Sequence, residues 1–163
     1  MSLSKLREFH GSFKSVCDNF SIDFTEFEQI FGANESVFVI WDIDTNGLID
    51  SLELFSGLIL FSETKFEDKA RFLFDIFDFN ELGSLATIDI EFMISSCLNS
   101  TFKILSKNKE ADLDEIHEIV EKGFSKDQRI DITEFIKWAK NSEECLTLIE
   151  LLSGAELEKK KGK

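Results

Sequence analysis

Asp42-Ile43-Asp44-Thr45-Asn46-Gly47-Leu48-Ile49-Asp50-Ser51-Leu52-Glu53 carries an oxygen-bearing side chain at its first, third, fifth, ninth and twelfth positions and a glycine at its sixth. A hard divalent cation such as Ca2+ takes about six to eight oxygens at about 2.3–2.6 Å. This spacing can bring Asp42, Asp44, Asn46, the Leu48 carbonyl, Asp50 and Glu53 around one point, Glu53 through both oxygens and Asp50 directly or through water. Gly47 falls where the chain must turn through positive φ, which a residue without Cβ does freely. Ile49, at the eighth position, is placed to form a short β-bridge with a neighbouring loop. Phe38 and Trp41 precede the loop at helical spacing, and Leu54, Leu58 and Ile59 follow it, so it joins two amphipathic helices.

Relatives of this unit recur along the chain. Leu3, Leu6, Phe9 and Phe13 mark a first helix, and Ile22-Asp23-Phe24-Thr25-Glu26-Phe27 repeats the tail of the loop. Its front offers Ser15, Cys17 and Phe20 at positions one, three and six, so this loop is expected to hold no metal. The entering helix of a third unit, Phe66 to Phe77, leads to Asp78, Asn80 and Gly83 at positions one, three and six, but Leu82, Ala86 and Asp89 stand at five, nine and twelve. Aspartate is a methylene too short to reach an ion well with both oxygens, so this loop is expected to be empty for calcium, with weak magnesium binding as the lesser alternative. Ile90 to Leu105 continues the exit helix and Ser106 to Ala111 is the expected linker. A fourth unit has Leu113, Ile116, Ile119 and Val120 in its entering helix and Ile130-Asp131-Ile132-Thr133-Glu134-Phe135 as its loop tail. Gly123, Ser125, Asp127 and Gln128 occupy its positions one, three, five and six, again too few ligands. Asn141 is placed to cap a last apolar helix, which Gly154 ends before the basic tail Lys159, Lys160, Lys161, Gly162 and Lys163.

The 163 residues are 43% apolar, enough for a sizeable core. Thirty-two acidic against 18 basic residues give a formal charge of -14, which disfavours nucleic acid as a partner and favours cations or basic peptides. Cys17, Cys97 and Cys145 are odd in number and widely spaced, arguing against a disulfide framework or zinc site and for a reducing cytoplasm. No apolar run is long enough for a membrane span, and Ser2 stands where N-myristoylation needs glycine. The absence of proline suits long helices with short connections. His10 and His117 lie far apart, outside any catalytic motif, and are read as helix-surface histidines; the chain is not expected to be an enzyme.

With these residues in view, the chain resembles the EF-hand calcium-sensor superfamily, and within it the neuronal calcium sensor, calcineurin B and calaxin group. The likeness covers residues 5–153 and is carried further by Cys17 ahead of Glu26-Phe27 and Gln29-Ile30-Phe31, and by Lys65-Phe66-Glu67-Asp68-Lys69-Ala70-Arg71-Phe72 leading into Phe77-Asp78. The expected fold is all-α: four EF-hand helix-loop-helix units in two paired lobes plus a C-terminal helix. The expected divisions are 1–62, 63–141 and 142–163. The resemblance departs in having one complete loop, no myristoylated glycine and, of the first hand's Cys-Pro-Ser-Gly stretch, only Cys17.

The expected function is that of a calcium-binding regulatory or light-chain-like subunit, with one Ca2+ per chain and Mg2+ at most a weak competitor. It would hold a helical segment of a larger protein in an apolar groove, for which Phe13, Phe24, Phe27, Phe31, Phe38, Leu54, Leu58 and Phe61 are the candidate lining residues. The alternative is a constitutive structural subunit whose calcium only stabilises the fold; a calcium buffer would need more intact loops. Likeness to calaxin implies a cilium or flagellum as the setting.

Overall fold

The computed structural model describes residues 1–107 and 109–142. They form eight helices with four three-residue strands between them. The order is α1 (Leu3–Val16), β1 (Ser21–Asp23), α2 (Phe24–Phe31), α3 (Glu35–Trp41), β2 (Leu48–Asp50), α4 (Ser51–Leu60), α5 (Phe66–Phe77), β3 (Ser84–Ala86), α6 (Thr87–Ile104), α7 (Leu113–Gly123), β4 (Arg129–Asp131) and α8 (Ile132–Asn141). Each strand is the tail of a loop between two helices. Strands β1 and β2 pair antiparallel with Ile22 opposite Ile49, and β3 and β4 pair likewise with Leu85 opposite Ile130. All four of these residues are at most 1% exposed.

Local chemistry sets the helix ends. Ser2 caps α1 by accepting from Lys5 N, and α2 and α8 open on reciprocal capping boxes, Asp23 with Glu26 and Asp131 with Glu134. Asp112 caps α7, and Gly32 ends α2 at φ 61°. Helix α6 begins at Thr87, where Asp89 accepts from Ala86 N, and runs on through the expected Ile90 to Ile104. Asn141 is the last residue of α8, its side-chain amide donating to the Lys137 carbonyl at 2.7 Å, and the last helix it was expected to cap lies outside the described residues. The apolar stretch and basic tail expected beyond it, with Cys145, lie outside the described residues.

One apolar cluster runs through both halves, from Leu6 and Phe13 in α1 to Phe135 in α8. Its most extensive helix contact is between α4 and α6. Gly57 permits that approach, since a Cβ there would lie 2.6 Å from the ring tip of Trp41 and 3.1 Å from Ser100 Cβ. Lys69 is buried at the junction of α4 and α5, its ammonium donating to the Leu60 carbonyl at 2.6 Å, where the negative end of α4 favours a cation.

His10 departs from the expectation of a surface histidine. Its ring packs edge-on against Phe55 and Phe72 at centroid distances of 5.1 and 5.8 Å, and burial, aided by Lys14 and Arg7, lowers its pKa from 6.5 to about 4. The α1 stripe of Leu6, Phe9 and Phe13 turns the tenth residue toward the same core. His117 is exposed as expected, bridging Glu91 of α6 and Glu121 of its own helix.

Two measurements check this packing. Exposed Gly11 has open space around it, so Gly11→Ala should stabilise α1 by about 0.5–1 kcal/mol in denaturant unfolding. Gly57→Ala should instead lose about 1–2 kcal/mol, because overpacking at Trp41 outweighs the gain in helix propensity; equal stabilisation at both sites would refute the close α4–α6 approach. As pH falls from about 6.5 to about 4, the unfolded chain accepts a proton that folded His10 refuses, so stability falls across that window. His10→Leu should flatten that part of the stability–pH curve.

Candidate functional site

The loop from Asp42 to Glu53 is shaped by its own first residue. Asp42 terminates α3, is 8% exposed, and its two carboxylate oxygens accept from Asn46 N and Gly47 N, both at 3.1 Å. This folds the chain back through Thr45 at φ 56° and Gly47 at φ 81°. Asn46 is turned by Asp44, which accepts from its side-chain amide at 2.8 Å, while Asn46 Oδ1 accepts from Leu48 N at 2.8 Å. Asp50 caps α4 by accepting from Glu53 N at 2.9 Å. Burial, and then the charge of Glu53, raise the Asp50 pKa above the usual carboxylate value, against the backbone donors of Glu53 and Leu52 and the more distant Lys103.

The loop 78–89 repeats this backbone. Asp78 accepts from Leu82 N and Gly83 N, and Glu81 and Gly83 take φ of 54° and 68°. The turn therefore needs only the first aspartate and the glycine. What differs between the loops is the supply of oxygens, with Leu82 and Ala86 where the earlier loop has Asn46 and Asp50.

The twelfth positions separate the loops more sharply. Glu26, Asp89 and Glu134 each reach back to a backbone N–H three residues earlier, at 2.9, 2.9 and 3.0 Å. Glu53 makes no such bond. Its Oε1 accepts from Asn99 Nδ2 at 3.1 Å, and its Oε2 lies 2.8 Å from Lys103 Nζ, both partners being on α6. The Lys103 contact is an ion contact outside hydrogen-bond alignment, which leaves Oε2 buried without a hydrogen-bond donor. Lys103 also donates to the Trp41 carbonyl at 3.5 Å, and Asn99 Oδ1 accepts from Ala111 N at 2.7 Å. No sequence signal pointed to Asn99 or Lys103, which lie 46 and 50 residues beyond Glu53.

An open cleft of about 1050 Å³ lies between this loop, the end of α6 and the segment that follows. Ile40, Ile43 and Leu48, each roughly half exposed, form its apolar side; Lys103, Lys107 and Lys109 form its basic side. The residues expected to line a groove are placed otherwise. Phe13, Phe27, Phe38 and Leu54 are core, Phe24, Phe31 and Leu58 pack partly buried against it, and Phe61 is exposed.

Among the described residues, no three Asp, Glu, His or Cys side chains are grouped as they would be around a metal ion. The donor set of the 42–53 loop still fits a hard cation, being oxygen throughout on a backbone already turned. Glu53 Oε2, paired with Lys103 at 2.8 Å but without an aligned hydrogen bond, is the atom for which a cation would compete. No described helix is long and apolar enough to cross a membrane. No protein-family model matches the chain.

If Asp42 rather than an ion holds the turn, the Asn46 and Gly47 amides should be protected from hydrogen exchange in chelator-treated protein. Asp42→Ala should abolish that protection and lower stability by about 1–3 kcal/mol, as expected when donors lose a charged partner. Unchanged exchange rates in the variant would show that the turn is held some other way.

Proposed function

We propose that the chain is an EF-hand calcium-binding regulatory subunit, built from four helix-loop-helix units in two pairs, with one calcium site formed by residues 42–53. The observation that carries this reading is that the oxygen-rich loop has the turned backbone while its twelfth-position carboxylate stands outside the capping bond made by the other three. Asp42, Asp44, Asn46, the Leu48 carbonyl, Asp50 and Glu53 would hold the ion. The other three loops would then serve to complete the pairs. The partner would be a helical segment of a larger protein, and the exposed apolar side chains Ile40, Ile43 and Leu48 beside the loop give it a surface to meet. The resemblance to calaxin extends the proposal to a ciliary or flagellar assembly.

A second reading, a constitutive structural subunit, is favoured by one observation. Loop 78–89 takes the same turn with Leu82 and Ala86 in place of two oxygen donors, so the turn itself does not depend on a full ligand set. The two readings separate on whether a partner binds differently with calcium and with chelator, because a sensor must distinguish its ion-bound and ion-free states.

Calorimetric titration should give one calcium per chain and a change in Trp41 fluorescence, since that buried indole immediately precedes Asp42. Glu53→Gln should weaken binding by at least about tenfold, while Asp89→Asn should leave it nearly unchanged. Two or more tight sites, or a response abolished by Asp89→Asn and indifferent to Glu53→Gln, would place the ion elsewhere.

A further inference from the structure

We propose that Lys103 is a built-in counter-ion that competes with the loop's cation for Glu53, setting the affinity of the site and transmitting its occupancy to α6. The inference rests on the calcium reading above and adds to it the residue that opposes binding. Both Glu53 oxygens are engaged by α6, Oε1 by the Asn99 amide and Oε2 by the Lys103 ammonium. Ligation through both oxygens therefore competes with the Lys103 ammonium and redirects the Asn99 bond.

The contact is partly shielded, the Glu53 side chain being 17% and the Lys103 side chain 25% exposed, so water screens it less than a surface pair. Lys103 is also held near its place by the Trp41 carbonyl, the last backbone acceptor before Asp42. An ammonium at this point neutralises the carboxylate when the loop has no ion, and a divalent cation must outcompete it to gain Glu53.

The exchange does not end at α4. Asn99 joins Glu53 through its amide nitrogen to Ala111 N through its amide oxygen, directly ahead of α7. Releasing Glu53 alters the environment of both α6 and the segment 109–111. By reciprocity, anything that binds this side of α6 and displaces Lys103 or Asn99 from Glu53 tightens calcium binding by the factor that calcium tightens its own.

The test is calcium titration of the full chain by calorimetry and Trp41 fluorescence, at fixed ionic strength, on wild type, Lys103→Met and Lys107→Met. Methionine retains the stem of Lys103. Lys107 borders the same cleft without contacting Glu53, so its replacement reports the loss of a nearby charge alone. Lys103→Met should bind calcium about tenfold or more tightly than wild type, and Lys107→Met should change affinity less than about threefold. Asn99→Ala, which frees Oε1 alone, should give an intermediate gain and serves as the second variant if Lys103→Met is poorly folded. In wild-type nitrogen–proton spectra, calcium should shift the Asn99 side-chain amide and the Ala111 backbone amide.

Equal affinity in Lys103→Met and wild type, or an equal gain in Lys107→Met, overturns the role of Lys103 while leaving the calcium site standing. Calcium binding by Lys103→Met alone supports the competition and makes the wild-type loop a closed site. Absence of binding in wild type, Lys103→Met and Asn99→Ala removes the calcium reading and this inference together.

Discussion

A three-residue strand has no stability of its own, and that constraint organises the molecule. Ile22, Ile49, Leu85 and Ile130 can be withdrawn from water with their backbone groups satisfied only when each strand lies against another. The loops therefore persist in pairs, 42–53 with the loop ahead of α2 and 78–89 with the loop ahead of α8. This gives a physical reason for retaining loops with few ligands: losing the tail at Ile22 would leave Ile49 with no partner strand. It also explains why the tails are so alike while the loop fronts, which the strand pairing does not constrain, differ.

Within each complete turn, shape and ion chemistry are separable. Asp42 and Asp78 impose the same hydrogen bonds on backbones of the same dihedral pattern, although their loops differ in oxygen supply. A carboxylate accepting two backbone donors in a partly buried turn is a strong local organiser. The turn of each loop is thus set by its own first aspartate. The part still to be decided is the side-chain shell, and chiefly Glu53.

Much of this was legible in the sequence because it is local. The period of the apolar residues located the helices, with α5 bounded by the expected Phe66 and Phe77. The eighth-position isoleucines Ile22, Ile49 and Ile130 marked three of the four strands, and the turn at Gly47 followed from the need for positive φ. The misreadings came where tertiary context governs. The packing of His10 depends on Phe55 and Phe72, far along the chain. Spacing alone does not distinguish a concave surface from an interior, and of the residues expected at a groove Phe13, Phe27, Phe38 and Leu54 are buried here. The partners of Glu53 were beyond reach for the same reason: neither a lysine nor an asparagine in a helix declares which distant carboxylate it faces.

That long-range contact changes how the loop's charge should be understood. Three aspartates and a glutamate within twelve residues repel one another, and the raised pKa of Asp50 registers both burial and the nearness of Glu53. An ion-free loop that pointed every carboxylate inward would carry this repulsion with little to offset it. Turning Glu53 onto Lys103 removes one charge from the group and supplies a cation from α6. Because Glu53 stands in the first turn of α4, and α4 packs on α6 through the close approach at Gly57, the balancing cation belongs to the helix that already bears on the loop's exit. The contact that offsets the loop's charge is therefore the one that ties α4 to α6, and no rearrangement of Glu53 can remain confined to its own loop.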